Sequence, residues 1–447
     1  MRLRHPLRTS AKSKKSKDAR LNNRRKALQN KLVPTNMLGQ CSSEGASERE
    51  YHVAISPPLE VIVSGAALTP FNRRKDGTGF RDWSCEAFQA ALDMSTLEPR
   101  DIGALFVASE SDFFSLQLNP SSILATDLGL TGCAAMRCEG GGASGQVAVH
   151  AAVDAILSGR MQHVLVIGVD ASASGLSGDA MRNLYGQSFD SWSDGFTGLS
   201  STALYALSFQ AFSAEHGASS ADLAAVTHQN RTNALHNTGA HLKRDDTLHE
   251  INQSPLIASP YRKLHCSPLS DGAAALILSR ASAVPAARDH APRVAGIGAA
   301  TDHMHLGARA KPGEFNAKTL AMKRAAGMAG ITPKDIGLAE VYDAYAGAQL
   351  QALQALGLSE HAVQDTRLGA FAPTGACPIN LSGGLMGQGA PVGATGVGQT
   401  ATCALLLEGC YHEKSQPSLP PQYALADTHG GLCTNANVTI LCQGGST

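Results

Sequence analysis

From Leu59 onward, short apolar runs alternate with stretches whose apolar positions recur every three or four residues. Residues 59–65 read as a strand, 84–93 as an amphipathic helix and 102–108 as the next strand; a small-residue helix over 146–157 leads to the apolar run 164–169. Strand and helix in alternation, joined by right-handed crossovers, imply a mostly parallel sheet. The second half repeats this logic. Residues 293–299 repeat the opening strand, 321–330 predict a helix, and Ile331-Thr332-Pro333-Lys334-Asp335-Ile336-Gly337 echoes Leu97-Glu98-Pro99-Arg100-Asp101-Ile102-Gly103. Gly393-Ala394-Thr395-Gly396 opens a helix over 397–407 as Gly142-Ala143-Ser144-Gly145 opens its own. The chain therefore reads as a duplicated α/β unit, the first copy over 58–285 and the second over 286–447. Two such units facing each other place both glycine-led helix starts at a shared cleft. There glycine permits close backbone approach, and unpaired N–H groups point at whatever sits before the helix.

Before Leu59 the pattern stops. Residues 1–57 lack apolar periodicity and predict a basic, disordered extension. The first 31 residues hold twelve Lys and Arg against the single acid Asp18, so the zero net charge hides a body with 25 basic and 36 acidic side chains. Such a body argues against nucleic acid as its partner. The leader reads as an incidental extension, with a mitochondrial transit peptide or a nucleic-acid-binding arm as alternatives. No apolar run approaches about 18 residues, so no membrane span is expected. Ten cysteines without a C-x-x-C pair argue against a zinc ribbon or a disulfide framework. Reduced thiols suit the cytoplasm, or the mitochondrion if the leader is a transit peptide.

Six segments stand in order along the body. They are Gly142-Ala143-Ser144-Gly145; Gly217-Ala218-Ser219-Ser220-Ala221-Asp222-Leu223 with His228-Gln229-Asn230-Arg231; Cys266-Ser267-Pro268-Leu269-Ser270-Asp271-Gly272-Ala273-Ala274-Ala275; Glu340-Val341-Tyr342-Asp343-Ala344-Tyr345; Asn380-Leu381-Ser382-Gly383-Gly384-Leu385; and Gly389-Ala390-Pro391-Val392-Gly393-Ala394-Thr395-Gly396. Together they resemble the thiolase superfamily, its sterol-carrier-protein-type and thiolase-like branches in particular, over residues 59–441. The resemblance implies a five-layer α-β-α-β-α sandwich and a homodimer. It also implies acyl-CoA thioesters of lipid metabolism as substrates, with no metal and no cofactor beyond the coenzyme A that the substrate carries.

A thiolase moves an acyl group between CoA and a carbon nucleophile. That chemistry needs a cysteine thiolate at a helix N-terminus, histidines to activate it, and backbone N–H groups as an oxyanion hole. Carried over residue by residue, three of the side chains are replaced. The nucleophile's position holds Gly142. The family's His-Asp-x-Phe motif reads Tyr342-Asp343-Ala344-Tyr345, so tyrosine stands for histidine. Ala344 takes a position where sterol-carrier-type enzymes can carry a cysteine, and Ala390 replaces the histidine of Gly-His-Pro. Cys133, Cys138 and Cys266 read as structural thiols, and Ser144 as packing against the facing subunit.

The remaining candidates are Tyr342, with Asp343 and Tyr345 as its neighbours in a proton relay; Cys433 and His429 in the loop 428–434; and the backbone N–H groups of Gly142, Ala143 and Gly389 for a thioester oxygen. Tyrosine at this motif position resembles thiolase-like retro-aldolases of β-hydroxyacyl-CoA, which also lack the nucleophilic cysteine. Retro-aldol cleavage needs a base for the β-hydroxyl proton and a site for the thioester enolate, but no acyl-enzyme. The expected function is therefore aldol-type cleavage or formation of a C–C bond on acyl-CoA. Thiolase-type acyl transfer by a non-standard residue, and a catalytically silent CoA-ester-binding subunit, are the alternatives. The resemblance further implies a small zinc-ribbon and OB-fold partner protein. The loop 174–202, with Trp192 and Phe196, is expected to shape the acyl pocket.

Overall fold

Alternating side chains along the strands sort the interior into three separate cores, and the layers of the molecule follow from them. The computed structural model describes residues 59–445 apart from 75, 191–193, 195–196 and 286–287. The basic extension over 1–57, Trp192 and Phe196 lie outside the described residues. The strands are β1 (Val61–Leu68), β2 (Ala104–Ala108), β3 (Ala134–Cys138), β4 (His163–Ala171), the short pair β5 (Leu256–Ala258) and β6 (Tyr261–Arg262), β7 (Asp271–Arg280), β8 (Arg293–Thr301), β9 (Leu338–Glu340), β10 (Tyr423–Gly430) and β11 (Asn435–Cys442). Nine of them join in the order β3-β2-β4-β7-β1-β8-β11-β10-β9. Outward from β1 and β8, each half runs first strand, last, next-to-last, then second. That shared order is the duplication expressed as topology, but the sheet is mixed and not mostly parallel: β2-β3, β2-β4 and β9-β10 pair parallel, whereas β4-β7, β7-β1, β1-β8, β8-β11 and β11-β10 pair antiparallel. The seam between the halves is a single residue pair, Ile62 opposite Arg293.

The principal helices are α1 (Phe80–Ser95), α2 (Pro120–Asp127), α3 (Ser144–Leu157), α4 (Ser201–His216), α5 (Ser220–Ala234), α6 (Asn316–Ala329), α7 (Ala346–Ala355) and α8 (Val392–Leu407). On β7, Ala273, Ala275 and Ile277 meet Trp83, Phe88 and Leu124 of α1 and α2. Their alternates Ala274, Leu276 and Leu278 meet Val149, Val153, Val397 and Ala401 of α3 and α8. On β10, Ala424 and Ala426 join that same middle core, whereas Leu425 faces Phe209, Phe315 and Leu350 on the far side. Period-two strands thus separate helix, sheet, helix, sheet and helix, which is the expected five-layer sandwich.

The two halves also share their fine packing. A Cβ at Gly65 would collide with Ala91 O of α1, and one at Gly298 with Ala321 O of α6, so each first strand admits its helix at backbone distance. The echoed Pro-x-Asp segments are the 3-10 turns Pro99–Asp101 and Pro333–Asp335. In each, the aspartate reaches back to the N–H of Glu98 or Thr332 at 2.8 Å. The two central helices differ at their starts. A 3-10 turn over Gly141–Ala143 precedes α3, as expected. The matching glycine turn lies inside α8, which starts at Val392 and not at 397. Pro391 stands at its N-cap and the Asp170 carboxylate holds the Gly393 N–H at 2.6 Å, so helix winds through the glycines. Among the described residues, no helix is long and apolar enough to cross a membrane.

Candidate functional site

Gly142, Tyr342, Ala344 and Ala390 meet at one point. A Cβ on Gly142 would lie 2.5 Å from His429 O and 2.6 Å from the Tyr342 hydroxyl. The space of a residue-142 side chain is therefore shared by the His429 carbonyl and Tyr342 Oη, at the start of α3. Tyr342 enters from the end of β9, where Val341 N–H donates to Asn380 Oδ1 (2.8 Å) and Tyr342 N–H to Asp427 Oδ2 (3.3 Å). Its ring packs against Ala390, Leu385 and Ala344. Two losses of side chain, at Ala344 and Ala390, accommodate the gain of a phenol.

The charges around Tyr342 decide its role. Burial first, then Glu110, Tyr345, Asp343 and Asp427, push its hydroxyl well above the ordinary tyrosine range. None of these neighbours favours a tyrosinate, so the Tyr342 hydroxyl keeps its proton. Nor do Asp343 and Tyr345 form a relay to it. Asp343 accepts from Leu385 N (2.6 Å), Met386 N (3.3 Å) and Asn230 Nδ2 (2.7 Å), which ties it to the start of the short helical turn Gly384–Gly387. Burial raises its carboxyl to about 6. Tyr345 Oη pairs with Thr202 Oγ1 at 3.1 Å.

His429 does reach the site. Its ring lies 4.6 Å from that of Tyr342. Nε2 is 2.6 Å from Tyr205 Oη, which donates to Gly431 O at 2.7 Å. A hydroxyl has one proton, so Nε2 supplies the other hydrogen and Nδ1 is left as a bare acceptor. Nδ1 is buried without a partner among the described residues. Burial, reinforced by Lys318 and Arg309, keeps the imidazole neutral.

The other candidates fare differently. Cys433 is fully buried, and burial pushes its thiol up to about 12. It belongs to the far core with Leu432 and not to the cluster around Tyr342. Cys138, the last residue of β3, is pushed up to about 11 and Cys266 to about 12. The Ala143 N–H is already given to Gly140 O at 3.1 Å, which removes it from an oxyanion hole. Ser144 closes the glycine turn, donating to Gly141 O (2.6 Å) and accepting from Gly140 N (3.0 Å), so its hydroxyl is satisfied locally and is not kept for a facing subunit. Gly389 takes φ +115°, beside Ala390, whose N–H donates to Ser270 Oγ at 3.0 Å.

Sequence reasoning missed Glu110, Asp170, Tyr185 and Tyr205. Asp170 accepts from Ser109 Oγ (2.7 Å), Glu110 N (3.1 Å) and Gly393 N (2.6 Å). Burial raises it to about 7, and raises Glu110, with Asp170 beside it, to about 8. The one available signal was position: both acids stand at the carboxyl ends of parallel strands, where open α/β sheets gather their ligands. Two surface clefts lie elsewhere, one of about 290 Å³ lined by Asn237, Gln388 and Tyr411, the other of about 520 Å³ lined by Ser220, Asn252 and Arg262. Among the described residues, no three His, Cys, Asp or Glu side chains are grouped to share a metal ion.

Comparison with known proteins places this arrangement. Residues 61–246 match the model of the thiolase N-terminal domain, and 298–443 that of the thiolase C-terminal domain-like family. An acetyl-CoA acetyltransferase of Methanothermobacter thermautotrophicus is 32% identical over 358 residues, 78% of this chain and 91% of that one. Sterol carrier protein 2 of Oryctolagus cuniculus is 25% identical over 87% of this chain and 73% of its own. A solved Ltp2-ChsH2(DUF35) aldolase superposes with a TM-score of 0.73 at 24% identity, covering 87% of this chain and 98% of that one. Both thiolase halves are present, in order, around a helix start whose nucleophile position is glycine, and the chain belongs to the thiolase family.

Proposed function

We propose that this chain breaks or forms a carbon–carbon bond in acyl-CoA thioesters, aldol fashion, with no cysteine acyl-enzyme. The observation that carries this reading is the Tyr342 hydroxyl standing in the space of a residue-142 side chain. A protonated phenol at the start of α3 suits hydrogen bonding to a thioester oxygen as enolate charge develops there. The high thiol pKa values at Cys138, Cys266 and Cys433 support the absence of a thiolate nucleophile. Coenzyme A enters as part of the substrate, and no further cofactor is part of the proposal. The neighbour named for an aldolase joined to a DUF35 protein supports the same kind of partner here, a small zinc-ribbon and OB-fold protein that delivers the CoA ester. A homodimer is part of the same reading.

The relatives named acetyl-CoA acetyltransferases favour a second reading, acyl transfer through an unconventional thiol. Intact mass after incubation with acetyl-CoA separates the two. We expect no adduct; a stable acetyl group on any cysteine would sink the non-covalent reading. In a β-hydroxyacyl-CoA cleavage assay, Tyr342→Phe is expected to lose about 100-fold or more in kcat, the scale of one oxyanion-hole donor. Equal rates would remove Tyr342 from the mechanism.

A further inference from the structure

Three acids stand just beyond or at the carboxyl ends of β2, β3 and β4: Glu110, Glu139 and Asp170. Two of them are already engaged. Asp170 accepts from Ser109, Glu110 and Gly393, and the exposed Glu139 accepts from Gly141 N at 2.6 Å. Glu110 is different. Its own N–H anchors it to Asp170 at 3.1 Å, while its Oε2 is shut off from solvent with no partner among the described residues. The Tyr185 hydroxyl, also buried, lies beside Glu110 and interacts with its carboxylate without closing a full hydrogen bond. Tyr342 feels both groups. A buried carboxylate oxygen with only this incomplete donor is costly to a fold and calls for an explanation. A substrate hydroxyl supplies the missing donor.

We propose that Glu110 is the catalytic base of the aldol chemistry, its Oε2 taking the proton of the substrate's β-hydroxyl while Tyr342 holds the thioester oxygen. This rests on the aldol reading above. As the proton leaves, the β-carbon–oxygen bond becomes a carbonyl and the Cα–Cβ bond breaks. Its electron pair passes into the thioester enolate, hydrogen-bonded by Tyr342. Glu110 then returns the proton to Cα, so β-hydroxyacyl-CoA gives a carbonyl compound and a shortened acyl-CoA with no oxidant or reductant.

Local charge separates Glu110 from its rival, His429 Nδ1. Lys318 and Arg309 oppose a proton on His429. Glu110 instead faces, against the opposition of Tyr185, the two acids Asp170 and Glu139, which favour its taking one up. The cation on this side, Arg137, is tied to Ser109 O and Asp112. Burial and these neighbours place the Glu110 carboxyl at about 8, in the range where a base works near neutral pH.

The test is β-hydroxyacyl-CoA cleavage by the full chain between about pH 6 and 9, the range where a group near 8 titrates. The enzymes compared are wild type, Glu110→Gln, Glu110→Asp and Tyr342→Phe, with thermal melting to check folding. Wild-type kcat/KM should climb with pH and level off above about 8. Glu110→Gln should lose about 100-fold or more together with the climb, and Glu110→Asp should restore part of both. A Glu110→Gln enzyme that keeps rate and climb overturns the base assignment and leaves the aldol reading standing, provided Tyr342→Phe is slowed. A folded wild type that cleaves no β-hydroxyacyl-CoA brings down both. If Glu110→Gln does not fold, Glu110→Asp decides: an unaltered pH profile overturns the assignment, and a displaced, slower one supports it.

Discussion

α3 and α8 are one element in two copies, and they begin in opposite ways. α8 starts under Pro391 with its Gly393 N–H bound to the Asp170 carboxylate, an acid supplied by the other half's sheet. α3 starts behind a glycine turn that faces the Tyr342 hydroxyl. Between the starts the helices touch: a Cβ on Gly145 would lie 2.7 Å from Gly396 Cα, and one on Gly396 would lie 2.7 Å from Gln146 N. The duplication has kept its packing and given up its chemical symmetry. One helix start is sealed by a carboxylate, and the other faces the phenol proposed to meet the substrate.

The severest way to break this comparison is at the crossing. Gly396→Val should cost more than about 4 kcal/mol, since its added atoms meet backbone and not a flexible side chain. Urea unfolding reads this directly, and near-native stability would mean the helices can part there without penalty. Next in size is Gly142→Ala, whose methyl meets Tyr342 Oη and His429 O. We expect a loss of about 1–3 kcal/mol, with part of it relieved in the Gly142→Ala/Tyr342→Phe double variant. Strict additivity in that cycle would separate the two positions.

The smallest effect is a pH dependence. Glu110, Asp170 and Glu340 have folded values of about 8, 7 and 7, all raised above the unfolded carboxylate range. Such a group keeps its proton in the folded chain where the unfolded chain has released it, so rising pH lowers stability until the folded value is passed. Histidines with lowered values, such as His150 and His265 at about 4, act in the opposite sense, and only below about 6.5. Tm should therefore fall between about pH 6.5 and 8, and Glu110→Gln or Asp170→Asn should flatten the fall. A Tm that rises over this interval would show that the acids at the sealed helix start and beside Tyr342 are not buried as described.

Much of the fold is legible in the sequence because it rests on local repeats. The Pro-x-Asp turns, the glycine-led helices and the period-two strands each announce themselves within about ten residues. The replaced positions are legible too, but only one at a time. That Gly142, Tyr342, Ala344 and Ala390 compensate one another is a fact of three-dimensional proximity across about two hundred residues, and no spacing rule carries it. Asp343 and Tyr345 were the nearest candidates by sequence to assist Tyr342, yet each turns away to a partner of its own. Glu110 shares a short polar stretch with Asp112, and nothing in that stretch marks it out from its neighbour. Its meaning comes from Asp170 and Tyr185, which the sheet brings alongside.

The shared space between residue 142 and Tyr342 also constrains history. A lineage that has exchanged a side chain at 142 for a phenol from across the molecule cannot go back one codon at a time. Restoring a cysteine at 142 first meets the tyrosine, and trimming the tyrosine first leaves a chain with neither group. The substitution works as a ratchet.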